Sequence, residues 1–253
     1  MKRLIFTTGI LLIGWLVGAP KASSLVMSDD EILDWGRGEP LCVDAEKSRR
    51  YRLDFGINTG EALEECDCYR IEGTECEGEL WQLLWSLSYI EDFHRAIDNP
   101  GRWITNLYSW VNRRIDMIRE DQRGGRGVYG WNATSGHPDH QQIIYLGHYL
   151  FSRNNPIMRV NTLVHEARHS EAAGNYYLHV NCREGPLQGR AGCDQRYLRS
   201  GGGAYSFSVY IYAWLYYNGK DDEVSPAMKD WAKNTANAII DNQFIEQPDY
   251  RLR

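Results

Sequence analysis

A chain of 253 residues with 43% hydrophobic and 12% aromatic side chains can fill a full core, and 25% charge excludes wholesale disorder. The formal charge of −6, with no basic cluster, argues against nucleic acid or an anionic membrane surface as a partner.

Lys2 and Arg3 precede an almost uncharged stretch, 4–17, and then the small residues Gly18, Ala19, Ala22, Ser23 and Ser24. That order is the signature of a secretory signal peptide over residues 1–24; the stretch is short for a membrane span, so a retained anchor is the weaker alternative. The mature chain is expected to be secreted or periplasmic, with no stable membrane span after signal removal. Removal takes away Lys2, Arg3 and Lys21 and no acid, moving the charge from −6 to −9.

Cys42, Cys66, Cys68, Cys76, Cys182 and Cys193 all follow this segment. An even count in an exported chain reads as three disulfides. Cys182 and Cys193 lie far from the rest and are expected to pair, while the other four allow three connectivities. Zinc on Cys66, Cys68 and Cys76 is the competing reading, disfavoured in an oxidising compartment. Residues 25–78 are expected to form a disulfide-stapled N-terminal region, and 79–253 a metal-binding domain.

From 79 to 98, Trp81, Trp85 and Tyr89 recur every four residues beside Leu84, Leu87 and Phe93, which predicts a helix. Asn99-Pro100-Gly101 breaks it, and a second amphipathic helix is predicted over 102–119. Residues 121–136 read as a glycine-rich loop with a short strand at 128–131, and 142–151 as a strand. Asn132-Ala133-Thr134 is a glycosylation sequon. Asn155 as N-cap, Pro156 at the first helical position and Gly174 beyond the end frame another helix. Helices are also predicted over 204–217 and, capped by Ser225 with Pro226 at its start, over 226–242. The expected fold class is α+β, predominantly helical, with a small sheet.

The helix at 155–174 contains His165-Glu166-Ala167-Arg168-His169. Four helical residues advance about 400° and 6 Å, so both imidazoles leave one face and can reach one zinc ion at about 2.0–2.1 Å. Glu166 lies about 100° round the helix, placed to take a proton from a water that zinc has acidified towards pKa of about 7. A hydrogen-bonded histidine pair without metal is the competing reading. Val160, Leu163, Val164 and Ala167 supply an apolar side to bury.

On this motif the chain resembles the zincin metallopeptidases, marked by His-Glu-x-x-His on an active-site helix. The resemblance covers residues 155–174. It implies His165 and His169 as zinc ligands, Glu166 as catalytic base, a peptide or protein substrate, and an antiparallel strand beside the cleft, for which 142–151 is the candidate.

The third ligand departs from the family patterns. Metzincins place a glycine three residues and a histidine six residues after the second histidine; here Gly174 and His179 stand five and ten beyond His169. Gluzincins draw a glutamate from a later helix, yet 204–217 contains no Glu, Asp or His. Asp194 is the oxygen donor an aspzincin would use, without the Gly-Thr-x-Asp neighbourhood. His179 is the favoured ligand and Asp194 the alternative; a Cys182–Cys193 bridge would hold the two close, one as ligand and the other orienting a histidine. Glu171 and Glu184 are lesser candidates. Tyr205, or Tyr176 or Tyr177, could donate to the oxyanion, with packing as the plainer role. His94, His137, His140 and His148 show no ligand spacing, and Ser170 and Ser206 no hydrolase elbow. The expected activity is zinc-dependent hydrolysis; a non-catalytic zinc protein and hydrolysis of a non-peptide amide are the alternatives.

Overall fold

The computed structural model describes residues 43–57, 79–93, 106–120, 130–132, 143–147, 156–170, 179–194, 203–221, 224–245 and 251–253. The first of these segments is helix α1, Ala45–Asp54. Asp44 caps it by accepting from Lys47 N–H at 2.7 Å. Tyr51 and Phe55 are fully buried in the common core, so residues 43–57 share that core rather than standing outside it. Gly56, with φ of 51°, turns the chain away; a Cβ there would lie 2.7 Å from the Asp116 carbonyl oxygen.

Helix α2, Glu79–Asp92, buries Leu80, Leu83, Leu84, Leu87 and Ile90 together with Trp81, Trp85 and Tyr89. With apolar residues on nearly every side it is an interior helix, packed against α1, α3 and α4. Among the described residues of the second expected helix, 106–119, only Leu107–Asn112 is α-helix, here α3. After a turn, the chain enters strand β1, Met117–Glu120. The spacing of three between Ile115 and Ile118 suits a helix, and parallel pairing with β3 nevertheless places Ile118 in the strand.

Strands β2, Gly130–Asn132, and β3, Ile143–Leu146, complete a three-stranded sheet of order β1-β3-β2. It is mixed rather than antiparallel: Met117–Glu120 runs parallel to Ile143–Leu146, while Trp131 pairs antiparallel with Tyr145. Of these strands β2, at the sheet edge, packs against the histidine helix, so the candidate strand at 142–151 contributes the sheet's centre instead of the strand beside that helix.

Helix α4, Pro156–His169, carries the motif. Ile157, Val160, Leu163, Val164 and Ala167 are fully buried against α2, α3, α5 and β2. The helix stops at His169, short of the expected end at Gly174. Strands β4, Val180–Asn181, and β5, Ala191–Cys193, form an antiparallel hairpin clasped by the Cys182–Cys193 disulfide. Helices α5, Ala204–Asn218, and α6, Pro226–Asn242, pack on one another, with Tyr212 edge-on to Trp231 at 5.4 Å. Leu252 is tied to α6 by two hydrogen bonds with Asn237, at 2.7 and 2.9 Å. No helix among the described residues is long and apolar enough to cross a membrane. Residues 1–24, Cys42, Cys66, Cys68, Cys76, Asn155, Gly174 and residues 133–134 of the sequon lie outside the described residues.

Candidate metal centre

The two motif histidines sit one helical turn apart near the C-terminal end of α4. His179 comes to them from the opposite side, from the residue before β4. The three Nε2 atoms converge: 3.0 Å between His165 and His179, 3.2 Å between His169 and His165, and 3.2 Å between His169 and His179. His165 is buried, and the other two are partly exposed.

Protons cannot satisfy this triangle. A neutral imidazole offers one N–H and one lone pair, so at most two of three mutual Nε2 contacts can be hydrogen bonds. The third must set lone pair against lone pair, or hydrogen against hydrogen. A central cation removes the conflict by accepting all three lone pairs. Tetrahedral ligation at about 2.0–2.1 Å separates nitrogen ligands by about 3.3 Å, close to the spacing seen here. The three histidines could therefore hold a metal ion.

Their outer nitrogens are arranged to the same end. His165 Nδ1 lies 3.3 Å from Ser208 Oγ, and that hydroxyl donates to the Ala204 carbonyl at 3.4 Å. The hydroxyl thus accepts from Nδ1–H and leaves Nε2 as the lone pair. His179 Nδ1 lies 3.4 Å from Asp194 Oδ1, long for a hydrogen bond, yet neither atom has another hydrogen-bonding partner among the described residues. We read it as a charge-oriented contact that keeps the proton on Nδ1. Burial, and then the like charge of His169 and His179, holds the His165 imidazolium pKa well below the ordinary value of 6.5, so this ring is neutral at neutral pH.

Glu166 is 5% exposed on the same helix, and burial raises its carboxyl to about 8. Tyr205, in the first turn of α5, lays its ring on His179 at 4.7 Å and edge-on to His165 at 4.6 Å. Burial, and then the charges of Asp194 and Glu166, push its phenol far above the ordinary range, so it stays protonated. Asp194 touches the far side of His179 and is not among the converging donors. Glu184 is exposed on the hairpin turn, and the Ser170 and Ser206 side chains are buried without a hydrolase arrangement. Glu171, Tyr176, Tyr177, His94, His137, His140 and His148 lie outside the described residues.

Two contributors escaped the sequence reading. Ser208 stands three residues after Tyr205, one turn along the same face of α5, a small polar residue in an aromatic helix. Arg168, inside the motif, is buried with its guanidinium 4.5 Å over the Phe207 ring, which itself stacks on Trp110 at 5.1 Å. That stack fastens α4 to α3 and α5 beside the site. Compared with protein-family models, curated proteins and solved structures, the chain matches none.

Proposed function

We propose that this chain is an exported zinc-dependent hydrolase, a metallopeptidase of zincin-like character acting on a peptide or protein substrate. The observation that carries the reading is the convergence of the three Nε2 atoms beside a buried glutamate on the same helix. Three imidazoles without a carboxylate suit zinc rather than calcium or magnesium, and three protein ligands leave the fourth position open. The disulfide fits an oxidising destination.

A zinc ion held by these histidines would supply a Lewis acid and a water acidified towards pKa of about 7. Glu166 would take the proton of the attacking water and hand it to the leaving amine. Burial raises this carboxyl to about 8; a zinc ion beside it would draw the value down, matching it to both transfers near neutral pH. Tyr205, protonated throughout, is the donor available to the oxygen that becomes negative. His165, His169 and His179 remain fixed, the first and third oriented by Ser208 and Asp194.

The test is metal analysis with a peptide-library assay on wild type, Glu166→Gln and His179→Ala. The glutamine variant is expected to keep wild-type zinc and lose turnover by about 10²–10⁴-fold; wild-type turnover would remove Glu166 from the chemistry. His179→Ala is expected to lose zinc, and undiminished zinc would move the third ligand elsewhere. The burial of Glu166 favours a second reading, a non-catalytic zinc site, which zinc binding without turnover of any peptide or other amide would support.

A further inference from the structure

The N-terminus of α5 lacks a cap of its own: Gly203 stands at the N-cap position with no side chain to accept the first amides. The cap comes from elsewhere in the chain. Asp194 Oδ2 accepts from Ser206 N–H at 3.2 Å, and the Tyr205 backbone N–H also serves the same carboxylate. Its other oxygen, Oδ1, faces His179 Nδ1 at 3.4 Å. One carboxylate, 1% exposed, therefore touches both the third histidine and the helix that supplies Tyr205 and Ser208.

Asp194 is held on its backbone as well. Its N–H donates to the Gln243 carbonyl at 2.9 Å, and its carbonyl accepts from Ile245 N–H at 3.1 Å. The preceding residue, Cys193, is bonded to Cys182. Space for the carboxylate exists because residue 203 is glycine. A Cβ there would meet Asp194 Cγ and Oδ2 at 2.5 Å and Oδ1 at 2.6 Å. The Gly203 backbone, φ −70° and ψ −167°, is open to any residue, so the reason for glycine is this contact and not conformation.

We propose that Asp194 is a positioning residue that fastens His179 and the N-terminus of α5 to one carboxylate, with Gly203 as the gap that admits it. The proposal rests on reading the histidines as a metal centre. Asparagine cannot replace aspartate here. If its oxygen caps α5, its amide N–H₂ faces His179, drives the ring proton to Nε2 and turns a hydrogen into the metal position. In the opposite orientation the amide opposes the helix amides.

Zn²⁺ affinity of the full-length protein, measured by chelator competition, is the main readout. Asp194→Asn and Gly203→Ala are each expected to weaken it by about 10–100-fold. In an Asp194→Ala background, Gly203→Ala should have no further effect, because the group it displaces is gone. The second readout needs no metal: ¹⁵N NMR of the metal-free chain should show His179 protonated on Nδ1 in wild type and shifted towards Nε2–H in Asp194→Asn. Wild-type affinity in both single variants, or equal cost of Gly203→Ala in the two backgrounds, overturns the proposal. Failure of wild type to bind Zn²⁺ overturns the metal-centre reading itself, and the His179 tautomer then decides whether Asp194 still orients the ring.

Discussion

Three Nε2 atoms within 3.0–3.2 Å of one another distinguish the histidine cluster from an ordinary buried hydrogen-bond network. Two of the three could be placed from the sequence, because residues four apart on a helix share a face whatever surrounds them. His179 could be nominated but not placed, since its station depends on a disulfide-clasped hairpin rather than on local spacing. Ser208 was illegible because its partner His165 is 43 residues away, and Gly203 because only the fold brings it against Asp194. The buried Glu166 carries a prediction of its own. Its folded-state pKa of about 8 exceeds the ordinary 4.5, so the fold favours the protonated carboxyl. Stability from that group is complete below about pH 4.5 and is lost as pH rises towards 8, because the unfolded chain releases the proton first. His165, with a lowered pKa, works in the opposite sense: its contribution is present above pH 6.5 and lost as pH falls. Comparing wild type with Glu166→Gln isolates the carboxyl. In urea titrations of the metal-free protein, the variant should gain on wild type between pH 5 and 8, by on the order of a few kcal/mol. A constant difference across that range would show that Glu166 is already ionised at pH 5.

Elements whose ends are chemically marked were the legible ones. Helix α6 begins where Ser225-Pro226 says it should, and the Ser225 hydroxyl accepts from Met228 N–H at 3.2 Å. Ser225→Ala is expected to destabilise the protein by about 1 kcal/mol, seen as a lower urea midpoint at unchanged slope. A midpoint equal to wild type would mean that the cap contributes nothing to the folded state. The second helix failed for the converse reason. Asn106 makes no side-chain cap bond, and no terminator separates α3 from β1. The i, i+3 spacing of Ile115 and Ile118 is helical, and a strand partner distant in sequence overrode it. The sheet was misjudged likewise, because strand direction is settled by pairing and not by composition.

At the scale of the whole molecule, the acidic balance, the helical predominance and the Cys182–Cys193 pair were open to reading. Membership of α1 in the common core was not, since cysteines and acids around it masked Tyr51 and Phe55. Tyr51, Tyr89 and Tyr212 belong to that core, and Tyr108 and Tyr205 pack against it. Burial raises Tyr51, Tyr89, Tyr108, Tyr205 and Tyr212 above their ordinary pKa of 10, with Glu91 adding to the rise at Tyr51 and Asp54 at Tyr108. Their contribution is complete below about pH 10 and is lost as pH rises further, when the unfolded chain sheds phenolic protons that the folded chain keeps. Unfolding should therefore set in above pH 10, with tyrosinate absorbance and loss of helix coinciding. Tyrosinate appearing near pH 10 with the helices intact would contradict this.

The backbone clasp of Asp194 by Gln243 and Ile245 has a temporal side. His165 and His169 face the same way as soon as one helix winds, an event of microseconds or less. The brace behind His179 needs α5, α6 and the segment after them to have docked, a closure over long sequence separation that comes late in folding. With a metal ion on these histidines, a chain part-way through folding would present a bidentate, weakly chelating helix, and the tridentate grip would arrive only when the downstream helices lock. Retention of a metal ion against a competing chelator would accordingly report how far folding has gone.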